Sequence, residues 1–152
     1  RLAPRAGFAA ARCGMWDVGW RMYRTQRARY HVITMTEDAM KARTKAFALR
    51  VIKLTESLPT TRAADVIGKQ LLRSATSVGA NYRASRRGKS RADFIHKLAI
   101  VEEEADESSY WLELLAESGI VPHAKLADLM RECDEITAII VASIRTAKAR
   151  RD

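Results

Sequence analysis

The segment from Phe94 to Leu115 constrains the fold more than any other part of the chain. Phe94, Leu98, Val101, Ala105, Ser108, Leu112 and Leu115 follow 4-3-4-3-4-3 spacing. That period puts all seven on one face of a single helix and requires partners to cover it. Ser90, with Asp93 three residues later, approximates a capping box at its start, and Gly119 fits a C-terminal cap.

Three further segments supply the partners. Phe47, Val51, Leu54 and Leu58 are spaced 4-3-4, which predicts a helix from about Ala42 to Ser57, stopped by Pro59. A second helix is expected from Thr61, its N-cap, to about Arg87, with Ile67, Leu71, Ser74, Val78, Asn81 and Ser85 as its seam. Half of that seam is small or polar, and Gly68 and Gly79 each cost about 1 kcal/mol against Ala in a helix interior. Close helix approach or a packed Asn-centred hydrogen-bond network would offset this cost. Pro122 opens a fourth helix whose seam is Leu126, Leu129, Cys133, Ile136, Ile140 and Ser143, widened by Ile139 and Ile144. Its basic tail, Arg145, Lys148, Arg150 and Arg151, complements the helix dipole. Four amphipathic helices joined by short loops predict an all-α fold, an antiparallel up-down four-helix bundle.

The formal charge of +9 is unevenly placed. Residues 1–34 hold seven Arg and one Asp, a balance of +6, whereas residues 35–152 hold twenty Lys/Arg against seventeen Asp/Glu, a balance of +3. Residues 1–34 show no lasting periodicity and no unbroken apolar stretch of the secretory kind. An organellar transit peptide and a basic arm for nucleic acid both fit their composition. The favoured expectation is a disordered or non-native extension, with Met35 or Met40 as the true start and residues 35–152 forming the bundle domain. No run of about twenty apolar residues predicts a membrane span. Cys13 and Cys133 lie far apart, and Cys133 falls on an apolar face, which predicts a buried free thiol and a reducing, cytoplasmic setting.

Between the second and third helices the chain reads RASRRGKSR. Arg83, Arg86, Arg87, Lys89 and Arg91 crowd nine residues, so the sequence tolerates local repulsion. They form either a solvated helix end or a contact for phosphate oxygens, to which Arg offers a bidentate fork. Tyr82 adjoins them and is expected at the margin of the core, with stacking on a base as the alternative.

Nothing in the chain builds a catalytic centre. Asp93 and His96 are spaced for a helical metal pair, but no second such pair exists and His123 has no carboxylate three residues before it, so no metal and no cofactor are expected. Ser74, Ser77 and Asn81 have no neighbouring base and are expected to serve interhelical hydrogen bonding and close packing. Glu102, Glu103, Glu104, Asp106 and Glu107 point in several directions from one helix. They fit a charge role within the bundle or between subunits, with Glu103 and Asp106 facing another subunit's basic hinge.

The stretch SATSVGANYRASRRGKSRADFIHKLAIVEEEADESSYWLELL resembles the four-helix-bundle family of 23S rRNA intervening-sequence proteins, whose wider group includes the accessory variability determinants of diversity-generating retroelements. The resemblance runs from about Met40 to Arg145. It rests on Ser74, Ser77, Gly79, Asn81, Arg83, Ser90, Phe94, Leu98, Glu103, Glu104, Tyr110 and Leu112. It implies packing roles for Ser74, Ser77, Gly79, Asn81, Phe94, Leu98, Tyr110 and Leu112. It further implies a bacterial, non-enzymatic protein that assembles as a ring-like homopentamer, with ribosomal RNA, other nucleic acid or a reverse transcriptase as partner. The rival expectation is a structural or adaptor protein whose charged surfaces serve only subunit or protein contacts.

Overall fold

The computed structural model describes residues 35–149. The expectations for residues 1–34, including Cys13, and for Arg150 and Arg151 lie outside the described residues. Four α-helices and no strand occur among the described residues: α1 (Glu37–Glu56), α2 (Arg62–Ser85), α3 (Arg91–Glu117) and α4 (His123–Ala149).

Local chemistry sets the helix ends. Thr36, Thr61 and Ser90 are the N-caps of α1, α2 and α3. Their hydroxyls accept hydrogen bonds from the backbone N–H of Ala39 (3.2 Å), Ala64 (3.2 Å) and Asp93 (3.1 Å). Each satisfies a donor that the first turn leaves orphaned. Asp93 completes its corner by accepting from the Lys89 backbone N–H at 2.9 Å. After α3, Gly119 adopts φ +72°, a conformation that favours glycine, and Val121 N–H then reaches back to the Leu115 carbonyl at 3.0 Å. Pro122 immediately precedes α4.

α1 starts five residues before the position its apolar spacing predicts. Thr36 caps it, and Glu37 and Asp38 occupy its first turn, where acids suit the helix dipole. Met40 and Thr44 extend the buried stripe through Phe47 and Val51.

The helices are antiparallel in sequence order. The start of α1 meets the end of α2 through Glu37–Arg86, and the end of α1 meets the start of α2 where Leu58 touches Gly68. Ser74 and Ser108 join the middles of α2 and α3, while Ala147 near the end of α4 lies beside Phe94 near the start of α3. The α2–α3 interface is the most extensive, α3–α4 and α1–α2 follow, and α1–α4 is slight.

The core confirms the α3 and α4 seams. Leu98, Val101, Ala105, Ser108, Leu112 and Leu115 are buried on α3, with Phe94 packed half-buried at the margin. On α4, Leu126, Leu129, Cys133, Ile136, Ile139, Ile140 and Ile144 are buried, and Ser143 is half-buried. Each fully buried Leu or Ile contributes about 1.5–3 kcal/mol. The α2 seam keeps Leu71, Ser74, Val78 and Ser85 of the expected one and differs in the rest. It consists of Ala64, Gly68, Leu71, Ala75, Val78, Tyr82 and Ser85, with Ser74 also buried. Ile67 and Asn81 lie half-buried beside it. Small side chains occupy the true seam because α1 and α3 come close there. A Cβ on Gly68 would stand 2.9 Å from Leu58 Cδ1, and one on Gly79 would meet Thr44 at 3.6 Å.

Candidate nucleic-acid interface

The corner between α2 and α3 gathers the basic residues singled out by their spacing. Arg83, Arg86, Arg87, Lys89 and Arg91 are all exposed. The turn is tight because a Cβ on Gly88 would come within 3.1 Å of the Ser85 carbonyl and 3.2 Å of the Phe94 nitrogen. That closeness, with the Ser90 cap and the Asp93 carboxylate, presents the basic side chains on either side of Gly88 at one end of the bundle.

Arg86 is the most constrained of the five. Its guanidinium pairs with Glu37 at 2.7 Å and lies over the Phe94 ring, 5.4 Å from the centroid. Glu37 also holds Lys41, and Lys41 first, then Arg86, keep its carboxyl below the usual carboxylate range. Arg86 therefore ties α1 to the corner as well as contributing charge. Arg83, Arg87 and Lys89 enter no ion pair among the described residues.

An open groove runs beside them, lined by Ser85, Arg86, Gly88, Ser90, Arg91, Phe94 and Ala147. Ala147 belongs to the last turn of α4, so the exposed Arg145 and Lys148 stand at the same end of the bundle. Their place in the patch was hidden in the sequence, because only the antiparallel packing of α4 brings residues some sixty positions apart to one surface. Tyr82 is buried, and burial raises its phenol pKa, so it belongs to the core margin and not to a stacking surface.

The small polar residues take different parts. Ser74 is buried, accepts a hydrogen bond from the Ser108 hydroxyl at 2.9 Å and donates to its own helix at Leu71. Ser77 and Asn81 are half-buried, and the Asn81 amide donates to the Ser77 carbonyl at 3.0 Å within α2. The interhelical network centred on Asn81 is thus replaced by the Ser74–Ser108 pair. Tyr110 does not pack into the bundle. It is 53% exposed, two residues from seam position Ser108 and two from Leu112, and so points away from the core. Its ring meets Trp111 edge-on at 5.0 Å. Glu103 and Asp106 are also exposed, and no cluster of three metal-ligating side chains occurs among the described residues.

The match to known proteins follows the bundle and the corner together. A family described as 23S rRNA-intervening sequence protein matches residues 38–142, which spans α1 to α4 and includes all five basic residues of the corner. The chain belongs to this family. Among solved structures, a protein of unknown function from the S23 ribosomal protein family of Bacteroides thetaiotaomicron VPI-5482 is 36% identical. The match covers 73% of this chain and 99% of that one, with a TM-score of 0.68. No curated protein gives a match. In this 23S rRNA-intervening sequence family member, no described helix is long and apolar enough to cross a membrane. Cys133 is a buried thiol as expected. Its S–H donates to the Ala105 carbonyl, and burial pushes its pKa up to about 12, which makes it unreactive.

Proposed function

We propose that this protein is a non-catalytic, oligomeric, cytoplasmic RNA-associated bundle that contacts phosphate through the α2–α3 corner. The observation that carries this reading is the exposure of Arg83, Arg87 and Lys89 with no internal counter-charge, beside Arg86, Arg91 and the basic end of α4. Keeping several like charges together costs stability, and a polyanion removes that cost by releasing its counterions. The family description points to ribosomal RNA as the class of partner. Phosphate contacts position without reading sequence, so binding is weak per site and gains strength when the patch repeats around a homopentamer. The adaptor reading draws on one observation, the engagement of Arg86 by Glu37 and Phe94, which gives at least one basic residue of the corner an internal structural task.

The test uses the full chain and a form beginning at Met35, each with and without Arg86→Gln, Arg87→Gln and Lys89→Gln together. Structured RNA should bind both at low salt. The triple substitution should flatten the slope of log affinity against log salt by about one for each phosphate no longer neutralised. An unchanged slope, or no binding by the shorter form at low salt, removes the corner as the interface.

A further inference from the structure

The groove at the α2–α3 corner offers more than charge. It opens about 380 Å³ beside Gly88, at the small end of the range for ligand pockets. Arg86, Arg91 and Phe94 line it from the corner, and Ala147 lines it from the last turn of α4. Phe94 and Ala147 are both half-buried, so a ring and a methyl group leave apolar surface within a basic surround. Arg87 and Lys89 flank Gly88 in the chain, and Lys148 follows Ala147; all three are exposed. A phosphate contact needs no aromatic wall, and the closed stack of a duplex offers no free base to cover one. An unpaired nucleotide presents both a flat apolar base and a charged backbone.

Arg86 is already set in place. Glu37 holds its guanidinium at 2.7 Å, and the guanidinium lies over the Phe94 ring, 5.4 Å from the centroid. Held from two sides, it has little freedom left to lose on binding. Its side chain is still 36% exposed, so the pairing does not enclose it. A base stacks on an arginine plane as it does on an aromatic ring. The contact that gives Arg86 an internal task thus also makes it a fixed platform.

We propose that this groove seats one unpaired nucleotide of a bound RNA. The base stacks against Arg86 and Phe94 beside Ala147, and the phosphates on either side meet Arg87, Lys89 and Lys148. Stacking tolerates any base, so the seat reads pairing state and not sequence. The corner then prefers looped or bulged RNA over a continuous duplex. The inference rests on the proposed phosphate contact at this corner and adds the class of RNA that it takes.

Two RNAs of equal phosphate count test it with the full chain: a hairpin with an unpaired loop, and a blunt duplex. The wild type should bind the hairpin about tenfold tighter. Ala147→Phe fills the groove and removes no charge. Phe94→Leu removes the ring and keeps apolar volume at the core margin. Each should bring the affinity ratio near one, with duplex affinity, its salt dependence and helical circular dichroism unchanged. Phe94 also packs against the core, so if its variant loses helicity, Ala147→Phe decides. All samples keep residues 1–34, so the variants differ from the wild type at the groove alone. A wild-type ratio near one, with the duplex still bound, overturns the seat and leaves the phosphate contact standing. A preference that survives Ala147→Phe also overturns it, because the unpaired base then sits elsewhere. Binding of neither RNA sinks the phosphate contact, and the seat falls with it.

Discussion

Across the α2–α3 seam, Ser74 and Ser108 meet as a buried hydroxyl pair amid small side chains; across α1–α4, the Arg43 guanidinium forks onto Glu132 and Glu135. The first interface is broad and the second slight. Where residues are small, backbones approach and dispersion accumulates over many contacts. Where the helices barely touch, a part-buried ion pair with ideal bidentate geometry does the joining. Arg43 reaches Glu132 at 2.6 and 2.9 Å and Glu135 at 2.6 Å, its side chain is 16% exposed, and Glu132 first, then Glu135, drive its pKa up. One side of the bundle resists added volume, and the other resists removal of charge.

The largest effect that separates the two sides should come from Ser108→Leu. It forces a bulky side chain against Ser74 where neither helix has room, and overpacking of this kind costs about 3 kcal/mol. Urea unfolding should show the loss as a lower midpoint with an unchanged slope, because the whole core shares the seam. A midpoint within error of wild type means that α2 and α3 are not close-packed at Ser74.

Arg43→Met should cost less, about 2 kcal/mol. Removing one partner of a fully buried pair costs more, but Glu135 is 38% exposed and water partly compensates. The loss should be local. Hydrogen exchange should quicken in the first half of α1 before it changes in α3. Uniform quickening across all four helices shows that the ion pair is not what fastens α1 to α4.

The same contrast governs what can be read before the fold is known. The α3 seam is legible in full, since its large apolar side chains announce the period. On α2 the spacing finds Leu71, Ser74, Val78 and Ser85 but adds Ile67 and Asn81 and misses Ala64, Gly68 and Ala75, which carry no apolar bulk to mark the face they occupy. Large residues advertise burial, whereas small ones reveal close approach only when the neighbour is present. The start of α1 escapes the apolar spacing for a related reason: Thr44, in phase between Met40 and Phe47, interrupts the run of large apolar residues, although Thr36, Glu37 and Asp38 do spell an N-terminus. At the corner, the five basic residues are legible as a cluster. Neither the Arg86–Glu37 pair nor the approach of α4 is local, and no spacing within RASRRGKSR encodes them. Tyr110 is assigned to packing by resemblance alone, against its own helical phase.

The smallest expected effect concerns two acids on one side of α3. Glu104 and Glu107 are three residues apart, yet their carboxyls shift in opposite directions. The Trp111 indole N–H donates to Glu107 at 3.0 Å, and this bond, followed by the Arg73 contact, lowers its pKa. Glu104 Oε2 is buried with no hydrogen-bond partner, and desolvation raises its pKa despite Arg73, with Glu107 and Glu103 adding to the rise. A raised carboxyl pKa means that ionisation costs the folded state more than the unfolded one. The penalty is fully present above the folded pKa and fades as pH falls towards the unfolded value. Glu104→Gln should therefore raise the melting temperature at neutral pH, by the equivalent of about 1 kcal/mol at most, and the gain should vanish in acid. Glu107→Gln should do the reverse. A lowered pKa contributes stability above the unfolded value that is lost as pH falls through the folded one, so its deficit at neutral pH should shrink in acid. Melting curves of both variants against wild type from neutral to acidic pH decide the matter. If Glu104→Gln destabilises the protein at neutral pH, its carboxylate is an engaged partner on the α2–α3 side, and the hydroxyl pair does not carry that seam's polar contacts alone.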